Sequence, residues 1–271
     1  MYYIGTSGYS YPDWRGAFYP SGLSKNDYLA YYAEHFQTLE LNSSYYSLPA
    51  TSLIRNLVTR TPDKFQVVVK AHRSITHERE GELAACLGAF REAVEPLAER
   101  GKLAAVLLQF PFSFHYGDPQ LEFLEHLLER LSAFSTVIEF RNGRWLNKSV
   151  LEWLKSRKVA LCCVDEPRLP GLVPPEVALT SDKIGYVRFH GRNAEKWWEH
   201  EAAWERYDYL YRMDELEEWR EGIEFLGQKA ERTFIFFNNH FRGQAARNAE
   251  DMQEMLGLPR KSSSGQQQSL F

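Results

Sequence analysis

Eight short runs of β-branched, aliphatic or aromatic residues recur along the chain, and most are followed by a longer stretch in which apolar positions return every three or four residues. The runs are YYIG (2–5), TLEL (38–41), QVVVK (66–70), AVLLQF (105–110), TVIEF (136–140), VALCCVD (159–165), YVRFHG (186–191) and TFIFFNN (233–239). The helix-patterned stretches are KNDYLAYYAEHF with Ser24 as N-cap, TSLIRNLVTR, ELAACLGAFREAVEPLAER, QLEFLEHLLERL, KSVLEWLKSR, DELEEWREGIEFLGQKA and AARNAEDMQEML. One interval breaks the rhythm: EPRLPGLVPPEVALTS, after Asp165, is proline-rich and predicts a loop with a short extra strand where a helix would stand. Alternating βα units without an intervening linker predict a single α/β domain over residues 1–258, a (β/α)8 TIM barrel, with a doubly wound open sheet as the alternative. Neither GxGxxG nor GxxxxGK[ST] follows any strand, which weighs against a dinucleotide or P-loop fold. Residues 259–271, ending SSSGQQQSLF, have the composition of a flexible tail.

Charge and cysteine content narrow the setting. A net charge of −4 over 271 residues excludes coating of nucleic acid by bulk positive charge, so any such contact must be local. Cys86, Cys162 and Cys163 form no spaced framework and read as free thiols in a reducing compartment. The N-terminus enters a strand at once, without the charged and apolar regions of a signal peptide, and no apolar run reaches the roughly 18 residues of a membrane span. A cytoplasmic protein is expected.

In such barrels the chemistry lies where strands end. Here the exits are polar: Glu40 and Asn42, Lys70 and His72, Gln109, Glu139 and Arg141, Asp165, Arg188 and His190, then Asn238, Asn239 and His240. Amides, carboxylates and bases repeated at one end predict a common mouth, because burying them is costly unless they pair or act. Glu40, Glu139, Asp165 and His190 are the acid–base candidates. Lys70, Arg141 and Arg188 suit a phosphate or carboxylate, so an anionic ligand is expected. The same cations repel metal, and neither HxH nor HExxH is present; no cofactor is expected, with a divalent metal as the lesser alternative. Taken alone, His77 and His115 read as hydrogen-bonded or solvent-facing loop residues. Aromatic residues crowd the loops, among them Tyr9, Trp14, Tyr45, Trp145 and Trp197, and flat rings suit bases or sugars. Trp153 and Trp219, at helical spacing, read as barrel cover.

The ordered motifs LELNSSYYSLP, KAHRSITH, QFPFSF, IEFRNGRW, VDEP, YVRFHGR and FFNNHFRGQAARNA resemble the YecE-like family, also called domain of unknown function 72, from Tyr3 to about Leu256. Tyr45, Ser44 and Phe112 are conservative departures from its usual Phe, Thr and Pro. The resemblance implies a TIM barrel with a polar cavity at its strand ends. By position it picks out Glu40, Asn42, Lys70, His77, Gln109, Glu139, Arg141, Asp165, Arg188, His190, Asn238 and Asn239. That family's barrel has been likened to apurinic-site endonuclease barrels, an analogy of fold.

Gln267, Gln268, Ser269, Leu270 and Phe271 resemble the linear motif by which bacterial polymerases and mismatch-repair proteins dock on the replication sliding clamp, with Gln268 in place of the usual second-position Leu. The combined expectation is a protein of DNA replication or repair. Its mouth takes a nucleic-acid strand, base or phosphate, with hydrolysis of a phosphodiester or glycosidic bond as candidate reaction, and its tail contacts the clamp through Gln267, Leu270 and Phe271. Two alternatives stay open: a small-molecule or glycoside-acting enzyme using Glu40 and Glu139, and a non-catalytic adaptor that binds clamp and DNA together.

Overall fold

Every apolar run becomes a strand. The computed structural model describes residues 1–79 and 83–258; the tail residues Gln267, Leu270 and Phe271 lie outside the described residues. The strands are β1 (Tyr2–Thr6), β2 (Thr38–Leu41), β3 (Gln66–Lys70), β4 (Leu103–Gln109), β5 (Thr136–Glu139), β6 (Ala160–Asp165), β7 (Ile184–Phe189) and β8 (Arg232–Phe237). All pair in parallel in the order β1-β8-β7-β6-β5-β4-β3-β2. At the β1/β2 seam an isolated parallel bridge joins Ser7 to Glu40, and the Gly8 amide donates to the Glu40 carbonyl at 2.8 Å. The seam is tight: a Cβ on Gly5 would stand 2.4 Å from the Thr38 carbonyl oxygen, so glycine alone fits there. The barrel is therefore nearly closed, and the expected TIM-like α/β architecture is the one found.

The helices of the described residues are α1 (Tyr28–His35), α2 (Thr51–Thr59), α3 (Leu83–Glu99), α4 (Asp118–Arg130), α5 (Lys148–Ser156), α6 (Met213–Glu217), α7 (Arg220–Lys229) and α8 (Gln244–Met255). Each turns an apolar stripe to the sheet: Ile54 and Leu57 in α2, Val150 and Leu154 in α5, Ile223 and Leu226 in α7. Ser24 caps a short turn ahead of α1, accepting from Asn26 N at 3.3 Å, and Asn147 caps α5, accepting from Val150 N at 3.0 Å. Two expectations need correction. The pattern around residue 219 is two helices, α6 and α7, because buried Trp219 lies between them and donates its indole N–H to Asp165 Oδ2 at 2.7 Å. Residues 166–183 replace a helix with a loop, as expected, but hold no extra strand. Pro167, Pro170, Pro174 and Pro175 have no amide to give a ladder. Instead Thr180 Oγ1 accepts from Leu161 N at 2.8 Å and donates to the Val159 carbonyl at 2.7 Å, closing the β6 edge.

Period-two alternation divides the strands between two cores. Leu39, Val67, Val69, Val106, Ile138, Val187 and Ile235 pack in the shell that includes the helices. Val68, Leu107, Val137, Cys162, Val164, Tyr186, Phe234 and Phe236 form a separate cluster that fills the barrel interior. Residues continuing the second set toward the strand ends face the mouth. No helix among the described residues is long and apolar enough to cross a membrane.

Candidate functional site

The first polar layer above the interior core is an ion-pair network, buried except for Arg141, whose side chain reaches the cavity above. Arg188 donates through Nη2 to Glu40 Oε1 at 2.6 Å and through Nη1 to Glu139 Oε2 at 2.5 Å. Glu40 also accepts from Ser7 Oγ and from Tyr186 OH, both at 2.6 Å. Arg141 donates to Glu139 Oε1 at 2.5 Å and to Glu166 Oε2 at 2.9 Å, and Val173 N donates to Glu166 Oε1 at 3.1 Å. Glu40, Glu139 and His190 are 0% exposed and Arg188 1%, and both carboxylates spend their oxygens on members of the layer. Burial pushes the Glu139 carboxyl up, but Arg188, Arg141 and His190 hold it well below the usual carboxylate range. Burial and Arg141 keep His190 neutral, its pKa well below the ordinary value. Its Nδ1 faces the Asn238 amide nitrogen at 3.1 Å, so Nδ1 accepts and Nε2 donates to Glu139 Oε1, also at 3.1 Å. Glu166, mainly through burial, is raised to about 7.

Above this floor opens a cavity of about 410 Å³ whose lining carries Lys70, Arg141, Arg188 and Arg206, with His77, His200 and His240, and no carboxylate. Asn42, Gln109 and Asn238 add amides; Tyr11, Tyr45, Tyr46, Phe112, Trp197, Trp198 and Tyr207 add rings. Tyr46 and Trp198 stand at the rim, 70% and 50% exposed. Buried Trp197 lies between two guanidinium groups, Arg206 at 5.3 Å and Arg141 at 5.7 Å from its ring centroid. Of the five buried side-chain polar atoms without a partner among the described residues, three belong to this lining: Asn42 Oδ1, Arg188 Nε and Arg206 Nε. Orphaned polar atoms gathered at one concavity are what a site awaiting a ligand presents. Lys70 Nζ sits 4.4 Å from the Tyr45 ring centroid, and burial, with Arg188 and Arg141 nearby, lowers its pKa to about 7. His77 packs edge-on against the same ring at 4.8 Å, and burial, Lys70 and Arg141 bring it down to about 4.

The structure thus brings ten of the sequence candidates to the cavity wall: Asn42, Tyr45, Lys70, His77, Gln109, Arg141, Arg188, Trp197, Asn238 and His240. Glu40, Glu139 and His190 lie in the buried layer beneath. Asp165 faces outward, accepting from Arg192 at 2.8 and 2.7 Å, Tyr211 OH at 2.7 Å and Trp219 Nε1. Asn239 also faces outward and ties Tyr209 O and Asn248 together at 2.8 and 2.9 Å. Trp14 and Trp145 are fully buried cover: Trp14 Nε1 donates to His240 O, and Trp145 stacks on Phe140 at 4.2 Å. Tyr9 packs against Tyr32 at 6.0 Å, outside the lining. Glu166, Ser7 and Arg206 escaped sequence reasoning. For Glu166 the signal was present, since it continues the inward parity of Cys162 and Val164 while Asp165 continues that of Leu161 and Cys163. Arg206 sits on a long excursion after β7, where no periodicity applies. Among the described residues no group of three His, Cys, Asp or Glu is placed to hold a metal ion.

Comparison with known proteins places this geometry. The family model described as "Protein of unknown function DUF72" matches residues 3–269. The "UPF0759 protein YunF" of Bacillus subtilis is 30% identical, with 100% of each chain aligned. A crystal structure of a DUF72 family protein from Thermotoga maritima superposes with a TM-score of 0.88 at 38% identity, covering 95% of this chain and 99% of that one. One from Enterococcus faecalis gives 0.85 at 29% identity, covering 99% and 100%. A family match over nearly the whole length, together with whole-chain superposition on two solved members, means that the chain belongs to the DUF72 family.

Proposed function

We propose that the mouth binds single-stranded nucleic acid, phosphates lying against its cationic wall and bases stacking on its exposed rings, in a protein of DNA replication or repair. One observation carries the reading: on a chain of net charge −4, Lys70, Arg141, Arg188 and Arg206 and no carboxylate line a ring-walled cavity, and Arg206 there is paired with no acid among the described residues. Attraction for an anion is therefore confined to the place where planar groups can also stack. Hydrolysis through Glu40 and Glu139 has less support, for phosphodiesters and glycosides alike. Both carboxylates are tied to Arg188 below the cavity floor, and Glu139 is held ionised where a general acid is needed. The resemblance of the tail to a clamp-docking motif supports recruitment to the replication machinery through Gln267, Leu270 and Phe271, which lie outside the described residues.

The test is fluorescence anisotropy with a labelled oligodeoxynucleotide at several salt concentrations. Trp198→Ala should weaken binding by about 1–3 kcal/mol, the worth of one stacked base. Arg206→Ala should flatten the salt slope by about 0.7, the loss of one phosphate contact on a single strand. Absence of binding, or binding indifferent to both substitutions, sinks the reading.

A further inference from the structure

Among the described residues two cationic side chains of the cavity are tied to no carboxylate, Lys70 and Arg206, and of these only Lys70 carries an amine. Arg141 and Arg188 are tied to carboxylates, whereas Lys70 Nζ has neither an ion pair nor a hydrogen bond among the described residues, only the face of Tyr45 at 4.4 Å. It stands at the end of β3 on the inward parity of Val68, so its amine opens into the cavity rather than onto the surface. We propose that Lys70 is a nucleophile that forms an imine with an aldehyde or ketone carrying a phosphate, the phosphate being held at Arg206, the guanidinium of the lining tied to no carboxylate among the described residues. The proposal rests on the anion-binding reading of the same cavity and names the reactive group its ligand must bring.

A lysine can attack only as the free amine, and the same burial and neighbouring guanidinium groups that leave Lys70 unpaired set its pKa at about 7 against an ordinary 10.5. At pH 7 this makes roughly a thousandfold more free amine than an exposed lysine offers. In the step, the Nζ lone pair forms a C–N bond to the carbonyl carbon while the C=O π bond breaks onto oxygen. That oxygen takes up a proton and Nζ loses one, giving a carbinolamine. Loss of the hydroxyl with a second proton, as water, gives the imine, so one carbonyl and one amine become one imine and one water with no oxidant or reductant. His77 is the proton carrier at hand. Its pKa of about 4 keeps it neutral, and with Nδ1 engaged by Thr76 Oγ1 at 2.9 Å its Nε2 is left for the exchange.

Phosphate-bearing aldehydes come from two sources, free sugar phosphates and the ring-opened deoxyribose of an abasic site in DNA, and the experiment separates them. The full chain is incubated with sodium cyanoborohydride and either glycolaldehyde phosphate, glycolaldehyde, or a single-stranded oligodeoxynucleotide bearing one abasic position, then mapped by peptide mass spectrometry. Expected is a single adduct on Lys70, its mass that of the aldehyde less one oxygen, formed at least about tenfold faster with the phosphate ester than with glycolaldehyde. Its rate should rise with pH through about 7. Lys102, whose ammonium is taken up by four acceptors, and exposed Lys148 serve as internal controls. Lys70→Arg keeps the charge and should abolish the adduct. An abasic-only adduct assigns the ligand to damaged DNA, and a glycolaldehyde phosphate-only adduct assigns it to small phosphates; either supports the imine. Labelling spread evenly over Lys148 and Lys70, no Lys70 adduct with any probe, or a Lys70 adduct that forms equally fast with glycolaldehyde and with its phosphate overturns it. Binding of an undamaged strand without a Lys70 adduct defeats the imine and leaves the nucleic-acid reading standing. A Lys70 adduct without strand binding does the reverse.

Discussion

Arg188 shows how far a single side chain determines the mouth. Its guanidinium pairs with Glu40 and Glu139 at once, and all three side chains are almost wholly buried. Arg188→Met keeps much of the volume, leaves Glu40 without a cation and leaves Glu139 with Arg141 alone, so it should cost about 3–5 kcal/mol in denaturant unfolding, the range for breaking a buried pair. A loss below about 1 kcal/mol would mean that the network is not the brace its geometry indicates. At this scale the sequence was readable where parity was followed and misleading where it was not. Glu139 with Arg141 and Arg188 with His190 share a face as spacing requires. Asp165 and Asn239 sit one position off that register, so their side chains leave toward the helices, although both lie at a strand exit and in a family motif.

Among elements, the strands were the most legible, because each is a short continuous apolar run and both its faces are buried. Connections were less so. The junction between α6 and α7 depends on where Trp219 must go to reach Asp165, a partner 54 residues away that local pattern cannot show. Lys102 makes the same point with an energetic consequence. Its ammonium donates to the carbonyls of Val58, Thr61 and Pro62 at 2.9, 2.9 and 3.0 Å and to Thr61 Oγ1 at 2.8 Å, closing the C-terminal end of α2 from the turn before β4. A cation there answers both the unpaired carbonyls and the negative end of the helix dipole. Lys102→Met should therefore lose about 1.5–3 kcal/mol, the worth of charge-assisted hydrogen bonds, by thermal or denaturant unfolding, with oligonucleotide binding unchanged.

For the molecule as a whole, the barrel and the tail are separable in what they are proposed to do. If Gln267, Leu270 and Phe271 dock on a sliding clamp, removing residues 267–271 should abolish clamp binding of about micromolar strength while leaving the unfolding midpoint and the strand affinity of the mouth untouched. Unchanged clamp binding, measured by surface plasmon resonance, ends the recruitment reading alone. Family membership and architecture could be read from the chain because seven motifs stand in order at strand ends and carry their register with them. What could not be read is which of the converging groups spend their charge on one another and which keep it for a guest. That division depends on distances across the barrel, between residues as far apart as Glu40 and Arg188.

The layer that joins Ser7, Glu40, Arg188, Glu139, Arg141 and Glu166 has a topological consequence as well. It stretches from wall to wall across the axis, with Val68, Phe234 and Phe236 packed behind it, so the barrel is a blind cup and not a tunnel. A guest must depart by the opening through which it arrived. A polymer can only lie across the brim or lower one unit into the bowl, never thread through.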